Sequence, residues 1–362
     1  MDSQVKDAAW LAWIEQLVAA SPSHDRGNEL PRSLFHCRLD DQPDHLVPER
    51  LLRPGHWEVP SDRPLFVNPC CSFTRDGQLP TVPTAGFALP GELVWGESVL
   101  GESVWSELVW GEMVWVRDPA NDALQPFWLG PELSTVLSEA KPGDPAPSLL
   151  SRESRRSLLM AKVLVPENYA SVRRQQWAEI ASVTGARFQS QGYAPVGQII
   201  HPFHISALRR YYRHELRTGK LHLGDGQSPR RYIAYNDPVA RFFHQQLTAA
   251  VSAFAGEPVK PSYVYLAAYQ PGAILEKHTD REQCDFSVTL CLDYSPEPRN
   301  ATPWPLRLHV KSGKVAVFQA IGDALLYRGC QLPHSRDPLA EGHTSTSIFF
   351  HYVRQDFTGR LD

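Results

Sequence analysis

The 362-residue chain lacks the features that would direct it to a membrane, a secretion route or a nucleic acid. No run approaches the roughly 18 apolar residues of a membrane span. The first residues lack the cationic region of a signal peptide, and Glu15 interrupts the apolar stretch around it. A net charge of −4 provides no general attraction for polyanions, so we expect neither a nucleic acid nor an anionic membrane as a partner.

Cysteine is also scarce, and the six cysteines form no Cys-x-x-Cys pattern. This usage is typical of a reducing compartment, and together with the missing leader it predicts a cytoplasmic protein. A Gly-rich phosphate loop, a nucleophile elbow and a dinucleotide fingerprint are absent from the sequence as well. The sequence therefore gives no support to the enzyme classes that depend on those motifs.

The length of the chain favours two domains. Hydrophobic residues make up 42% and charged residues 21% of the sequence, which is ordinary for a globular protein, but 362 residues are many for one compact domain. The Pro-rich stretch 141–147 is the clearest linker. We predict an N-terminal accessory α+β domain over 1–140, a linker and helical connection over 141–189, and a C-terminal domain over 190–362.

A pentad repeat occupies residues 91–115, reading GELVW, GESVL, GESVW, SELVW and GEMVW. Its Val and Trp content favours a strand, whereas so short a repeat cannot bury the core of a solenoid. We interpret it as an expanded strand or hairpin with little chemical role. The alternative is an aromatic surface that contacts a protein partner or another copy of the chain.

Helices precede strands in the C-terminal half. Asp237 followed by Pro238 predicts the start of a helix, and apolar residues continue at helical spacing to Phe254. After Lys260 the pattern changes to strands. A block of helices before a block of antiparallel strands predicts an α+β fold and fits helices that brace one sheet of an eight-stranded jelly roll.

His278 and Asp280, followed at a distance by His334, are the candidate metal ligands. Residues two apart on an extended strand point to the same side, so the first two side chains can converge on one ion. Two histidines and one carboxylate hold Fe(II) on one face and leave the opposite face open. A His-x-Asp pair alone is weak evidence in a chain with 14 histidines, so the assignment depends on the flanking sequence.

That flanking sequence resembles the catalytic core of the prolyl-hydroxylase-like 2-oxoglutarate/Fe(II)-dependent oxygenases. Five elements carry the resemblance in the same order and spacing: 265–280, 286–293, 304–310, 322–327, and the closing loop and strand 338–342 and 345–350. The resemblance covers roughly residues 190 to 355. It implies a C-terminal double-stranded β-helix, or jelly roll, with His278, Asp280 and His334 as iron ligands, 2-oxoglutarate as cosubstrate and O2 as oxidant.

The implied activity is hydroxylation of an unactivated C–H bond in an amino acid, a peptide side chain or a small metabolite, with release of succinate and CO2. Asp280 favours hydroxylation because halogenating relatives lack this carboxylate. Desaturation and ring formation remain open. The alternative is a different class of function: a non-catalytic jelly-roll module that binds a small molecule or metal, while the N-terminal region docks a partner.

The sequence differs from that of the relatives at the residue that would anchor the cosubstrate. Relatives place a Lys or Arg nine or ten residues after the second histidine to pair with the far carboxylate of 2-oxoglutarate, but His343 and Thr344 stand there. A buried carboxylate requires a charge-assisted partner. His343, Thr344, Arg328 and Arg336 are therefore the candidate anchors, and Tyr269 matches a tyrosine that contacts the cosubstrate in relatives.

Overall fold

The structure, a computed structural model, describes residues 63–73, 113–129, 131–197, 199–299 and 301–361. The chain divides into two compact units, which comprise residues 63–174 and 175–361 of the described part. No helix in these ranges is long and apolar enough to cross a membrane. The domain boundaries at 140 and 189 stay predictions, as does a partner contact through the pentad repeat, most of which lies outside the described residues.

The first unit combines short antiparallel strands with helices. Its strands β2, β3 and β4 form one sheet, and β1 pairs with β5. Residues 141–147, predicted as a linker, are bonded to β1, since the Val67 N–H donates to the Asp144 carbonyl at 2.8 Å. The elements are β1 (Leu65–Val67), β2 (Cys71–Phe73), β3 (Met113–Arg117), β4 (Leu124–Trp128), α1 (Pro131–Val136), α2 (Arg152–Met160), β5 (Leu164–Pro166) and α3 (Tyr169–Gln191), which continues into the second unit.

The last three residues of the pentad repeat begin strand β3. The side chain of Trp115 is only 2% exposed, and Val114 is fully buried. The β-propensity of Val and Trp therefore leads to a strand at this end of the repeat, as predicted. Trp115 belongs to the core of the first unit and does not contribute to an exposed aromatic surface.

The second unit contains helices followed by a long run of strands. Its elements are β6 (Tyr193–Val196), α4 (Pro202–Arg217), β7 (His222–Leu223), β8 (Arg231–Tyr235), α5 (Pro238–Gln246), α6 (Thr248–Ala255), β9 (Val259–Tyr269), β10 (Leu275–His278), a 3-10 turn (Glu282–Cys284), β11 (Phe286–Ser295), β12 (Leu306–Val310), β13 (Gly313–Val317), β14 (Ala324–Tyr327), β15 (His334–Arg336) and β16 (Thr344–Arg354).

Two antiparallel sheets organise this unit. The larger sheet has the order β6-β14-β11-β16-β9-β8-β7 and the smaller the order β10-β15-β12-β13. The chain passes repeatedly from one sheet to the other between β9 and β16. The sheets pack face to face, because Leu275, Leu306 and Leu308 of the smaller sheet share one apolar cluster with Leu325 and Tyr327 of the larger. The predicted mixture of helices with antiparallel strands is confirmed.

The predicted helix after Asp237 begins as expected. The Asp237 carboxylate accepts hydrogen bonds from the backbone N–H groups of Val239 and Ala240 at 3.0 and 3.1 Å, which satisfies N–H groups that lack a partner at a helix start. The single helix expected up to Phe254 is instead two helices, α5 and α6. At the break, the Thr248 hydroxyl donates to the His244 carbonyl at 3.3 Å, a side-chain bond that competes with the helical backbone ladder.

Candidate metal centre

Strand pairing brings the three predicted ligands together. His278 ends β10 and His334 begins β15, and the two residues are direct partners in the antiparallel pairing, so their ring centroids lie 4.3 Å apart. Asp280 follows two residues after His278, and its backbone N–H donates to the Gly329 carbonyl at 3.0 Å. The turn after β10 therefore returns the Asp280 carboxylate to the two imidazoles.

Hydrogen bonds fix which nitrogen each histidine presents to the site. Nδ1 of His278 lies 2.8 Å from the Glu276 carbonyl, and Nδ1 of His334 lies 3.0 Å from the Leu332 carbonyl. Because a carbonyl can only accept, each Nδ1 carries the hydrogen and each Nε2 presents a lone pair in the neutral ring. Both Nε2 atoms face Asp280 Oδ1, at 3.5 Å from His278 and 3.4 Å from His334.

The spacing and chemistry of these donors fit a first-row divalent metal. Ligand atoms about 2.1 Å from one ion and at right angles to each other lie about 3 Å apart, so a small inward shift brings the three atoms into coordination range. Their donor atoms all lie within 4.8 Å of one another. Two imidazoles and one carboxylate on one side of the ion form the facial ligand set of non-haem Fe(II) sites.

Electrostatics favour the ionised carboxylate. Burial pushes the pKa of Asp280 upward, but the contacts of its carboxylate with the imidazoles of His278 and His334 overcome this effect and hold the pKa well below its usual range. Burial also opposes a charge on His278, and the same contact with Asp280 raises the pKa of His278 above its ordinary value. Asp280 therefore stays ionised and offers a metal cation a negatively charged ligand.

The second oxygen of Asp280 has a different set of neighbours. Oδ2 accepts a hydrogen bond from the Ser287 hydroxyl at 3.0 Å, and the Tyr327 hydroxyl lies 3.5 Å away. Ser287 in turn lies 2.9 Å from Nδ1 of His351. Gly329 leaves space for this arrangement, since a Cβ at 329 would lie 2.4 Å from Asp280 Oδ2 and 2.5 Å from the Ser287 hydroxyl.

A second group of potential ligands shares Asp280. Within the described residues, Asp280, Cys284 and His351 also bring one donor atom each within 4.8 Å of the others. The Cys284 thiol is bonded to the Tyr263 hydroxyl at 3.1 Å, and His351 is bonded to Ser287. Cys284 and His351 are thus each hydrogen-bonded to a hydroxyl group of the protein.

Arg336 is a buried cation close in the chain to the ligand set. It is 4% exposed and follows His334 by two positions on β15, so both side chains lie on the same face of that strand. Its Nη1 donates to the Trp304 carbonyl at 2.8 Å, and the guanidinium lies 4.6 Å from the centroid of the Trp304 ring. Burial lowers the pKa of Arg336, and no ion pair joins it to a carboxylate of the described chain.

Two buried polar atoms, one on β15 and one on β11, have no hydrogen-bond partner among the described residues. They are Nε of Arg336 itself and the hydroxyl of Thr289 on β11. Thr289 lies two positions after Ser287 and two before Cys291, so these three side chains lie on one face of the strand. Buried polar groups without a partner are uncommon and indicate a ligand or water that completes them.

Tyr269 lies in the same apolar cluster as Trp304. Its ring meets Trp304 edge to face at 5.0 Å between centroids. Its hydroxyl accepts a hydrogen bond from Nη1 of Arg231 at 3.0 Å. The Trp304 ring therefore contacts both Tyr269 and the Arg336 guanidinium, which brings two of the predicted cosubstrate residues into one cluster.

The other candidate anchors have different surroundings. Nδ1 of His343 lies 2.8 Å from the hydroxyl of buried Tyr294. Thr344 is at the start of β16, where it pairs with Ser295 at the end of the sheet ladder. Arg328 stacks over Phe188 of α3, with its guanidinium carbon 4.9 Å from the ring centroid, and the structure does not bring it to the Trp304 cluster.

Sequence reasoning did not identify Ser287, His351, Gly329 or Arg231 as part of the site. Nothing in the sequence links His351 to Asp280. The links arise only when β11 pairs with β16 and makes Ser287 and His351 direct neighbours. A spacing pattern in one segment cannot signal a contact of this kind.

Comparisons with known proteins find structural neighbours only. No protein-family model and no curated protein matches the chain. A Pseudomonas putida prolyl-4-hydroxylase structure is 17% identical, with a TM-score of 0.41, and the match covers 48% of this chain and 99% of that one. A Trichoplax adhaerens prolyl hydroxylase in complex with a hypoxia inducible factor peptide is 11% identical, with a TM-score of 0.42 and coverage of 49% and 91%.

HygX from Streptomyces hygroscopicus, with nickel and 2-oxoglutarate bound, is 16% identical to this chain, with a TM-score of 0.38 and coverage of 48% and 87%. Structures of non-haem α-ketoglutarate-dependent enzymes are also among the neighbours. Likeness of this degree does not by itself establish a family or an activity.

Proposed function

We propose that the protein is an Fe(II)- and 2-oxoglutarate-dependent dioxygenase that hydroxylates an unactivated C–H bond of an amino acid, a peptide side chain or a small metabolite. The convergence of two Nε2 atoms and one carboxylate oxygen supports the proposal most strongly. We also propose that β9 to β16 form a double-stranded β-helix, since these strands pass repeatedly between two facing antiparallel sheets.

His278, Asp280 and His334 would hold the metal. The carbonyl groups of Glu276 and Leu332 keep both imidazoles in the orientation and tautomer that a metal requires. Bound Fe(II) would supply the activation of O2 that C–H oxidation needs. The protein would contribute the fixed ligands and a largely buried pocket that aims one C–H bond at the metal.

Arg336 is the anchor that we propose for the far carboxylate of 2-oxoglutarate. It supplies a permanent cation without a carboxylate partner, and its unpaired Nε can donate one more hydrogen bond. The Thr289 hydroxyl is a second available donor, and Tyr269 lies against the same Trp304 ring. An arginine two residues after the second histidine would thus replace the Lys or Arg that His343 and Thr344 do not provide.

Iron-dependent conversion of 2-oxoglutarate into succinate tests the proposal. We expect the purified full-length protein to form succinate under air when Fe(II) is present, and the His334→Ala variant to form none. His309→Ala is the matched control, because His309 lies on the neighbouring strand β12 and contacts Ser335 rather than the ligand set. Metal-independent turnover, or full activity in the His334 variant, would refute the assignment.

A further inference from the structure

The two oxygens of Asp280 have separate surroundings. Oδ1 faces Nε2 of His278 and His334, whereas Oδ2 faces hydroxyl groups. The nearest hydroxyl belongs to Ser287, 3.0 Å from Oδ2. One oxygen is therefore directed to the proposed metal while the other is hydrogen-bonded within the protein.

The direction of each hydrogen bond follows from the groups involved. The ionised carboxylate of Asp280 can only accept, so Ser287 must use its single hydroxyl hydrogen to donate to Oδ2. The Ser287 oxygen must then accept from Nδ1 of His351, 2.9 Å away. His351 consequently carries its hydrogen on Nδ1. The two hydrogen bonds therefore run in one direction, from His351 to Ser287 and from Ser287 to Asp280.

His351, the first donor in this pair of hydrogen bonds, has a fixed position in the core. The His351 side chain is buried, and its ring packs against Tyr263 with centroids 4.6 Å apart. Its backbone carbonyl is bonded to Nε2 of buried His244 at 2.7 Å. The imidazole therefore offers the Ser287 hydroxyl a donor at a fixed position.

The carboxylate also has little room to turn. A Cβ on Gly329 would overlap Oδ2 of Asp280, which shows how closely the backbone at 329 approaches that oxygen. To bind a metal through both oxygens, Asp280 would have to turn Oδ2 towards the ion, and the bond from Ser287 opposes that rotation. A second carboxylate oxygen on the ion would also occupy a position that the facial ligand set leaves open.

We propose that Ser287 and His351 are positioning residues that restrict Asp280 to binding the metal through Oδ1 alone. The inference rests on the proposed metal site, and it assigns to these residues the task of keeping the opposite face of the metal open. Hydrogen-bonding partners of a metal ligand commonly change metal affinity about 10- to 100-fold when they are removed. A purely structural role would change folding without changing the bound metal.

Anaerobic titration of the full-length protein with Co(II), followed by its visible ligand-field bands, tests the proposal. We expect Ser287→Ala to weaken Co(II) binding about 10- to 100-fold and to shift the bands, because Asp280 gains the freedom to bind through both oxygens. Ser287→Thr should restore both properties because it retains the hydroxyl. His351→Phe should reproduce the loss, and His351→Asn, which keeps a donor near the position of Nδ1, should recover part of it.

Ser262→Ala is the matched control, since it removes a serine hydroxyl that donates to the Gln283 carbonyl and does not contact Asp280. We expect wild-type affinity and bands for it. If Ser287→Ala does not fold, His351→Phe and His351→Asn provide the same comparison. Unchanged affinity and bands in folded Ser287→Ala and His351→Phe would overturn the positioning role while leaving the metal site intact. A wild-type protein that binds no Co(II) would overturn the metal site as well.

Discussion

His334 and Arg336 occupy alternate positions of the three-residue strand β15, and both side chains are buried. The first joins the set of converging ligand atoms. The second is a cation without a carboxylate partner in the described chain. In the proposed enzyme, one short strand would therefore supply both a metal ligand and the anchor for a carboxylate of the cosubstrate.

Replacing Arg336 with Met should weaken 2-oxoglutarate binding by about 1.5 to 3.5 orders of magnitude, because loss of one partner of a buried hydrogen-bonded charge pair costs about 2–5 kcal/mol. Metal affinity should stay unchanged. The measurement is an anaerobic titration of the Fe(II)-loaded protein with 2-oxoglutarate.

Arg328→Met is the control for this change, since Arg328 stacks over Phe188 and bonds to Gln189 of α3. We expect its 2-oxoglutarate affinity to equal that of the wild type. A loss in the Arg328 variant with normal binding in the Arg336 variant would mean that the anchor has been misassigned.

Replacing His278 with Ala should abolish Fe(II) binding and succinate formation together, because two ligands cannot hold the ion as the facial set does. Equilibrium dialysis of Fe(II) under anaerobic conditions measures the first effect. His222→Ala, which changes an exposed histidine of β7, should bind Fe(II) normally. Retention of stoichiometric iron by the His278 variant would be incompatible with the proposed ligand set.

Adding a methyl group at Gly329 should damage the site, because the new Cβ would overlap Asp280 Oδ2 and the Ser287 hydroxyl. We expect Gly329→Ala to lose about 1–3 kcal/mol of unfolding free energy, as overpacked positions do, and to bind metal more weakly. Gly226→Ala, where a Cβ meets nothing within 4 Å, is the control. Chemical unfolding and metal titration of both variants would reveal the difference, and equal behaviour would contradict the close approach at 329.

We expect the protein to lose stability in acid because two of its histidines are buried. Burial lowers the pKa of His244 to about 3 and that of His351 to about 4, against about 6.5 in an unfolded chain. Below pH 6.5 the unfolded state therefore binds more protons than the folded state. The contribution of the two neutral histidines to the free energy of unfolding is complete above pH 6.5, and it decreases as the pH falls towards 4 for His351 and towards 3 for His244. Each histidine contributes a slope of up to about 1.4 kcal/mol per pH unit.

His244→Gln isolates one of these contributions, since its amide can still donate to the His351 carbonyl but does not titrate. Urea unfolding of the metal-free protein at pH 6.5, 5.5 and 4.5 should give a shallower pH dependence for this variant, whereas exposed His222→Gln should follow the wild type. A variant slope equal to that of the wild type would contradict a neutral, buried His244.

The ligand set could be predicted from sequence because its information is local. His278 and Asp280 stand two apart at the end of a strand, and His334 follows a Gly-Asp strand that resembles its counterpart in the oxygenases. The start of α5 was predictable for the same reason, since Asp237 and Pro238 act within one turn.

The cosubstrate pocket could not be predicted in the same way. Four residues were candidate anchors in the sequence, and the choice of Arg336 among them depends on which cation is buried without a carboxylate partner. That property arises from the packing of Trp304 against β15 and cannot be seen in a spacing pattern. The link between Ser287 and His351 likewise requires the pairing of two strands that are distant in the chain.

The anaerobic visible spectrum of the protein with Fe(II) and 2-oxoglutarate tests the central claim most directly. Chelation of the ligand-bound iron by 2-oxoglutarate should produce a weak charge-transfer band that appears with the wild type and disappears with the His334→Ala variant. Folded wild-type protein that shows no band with both components present would contradict an Fe(II)/2-oxoglutarate site and would favour a non-catalytic binding module.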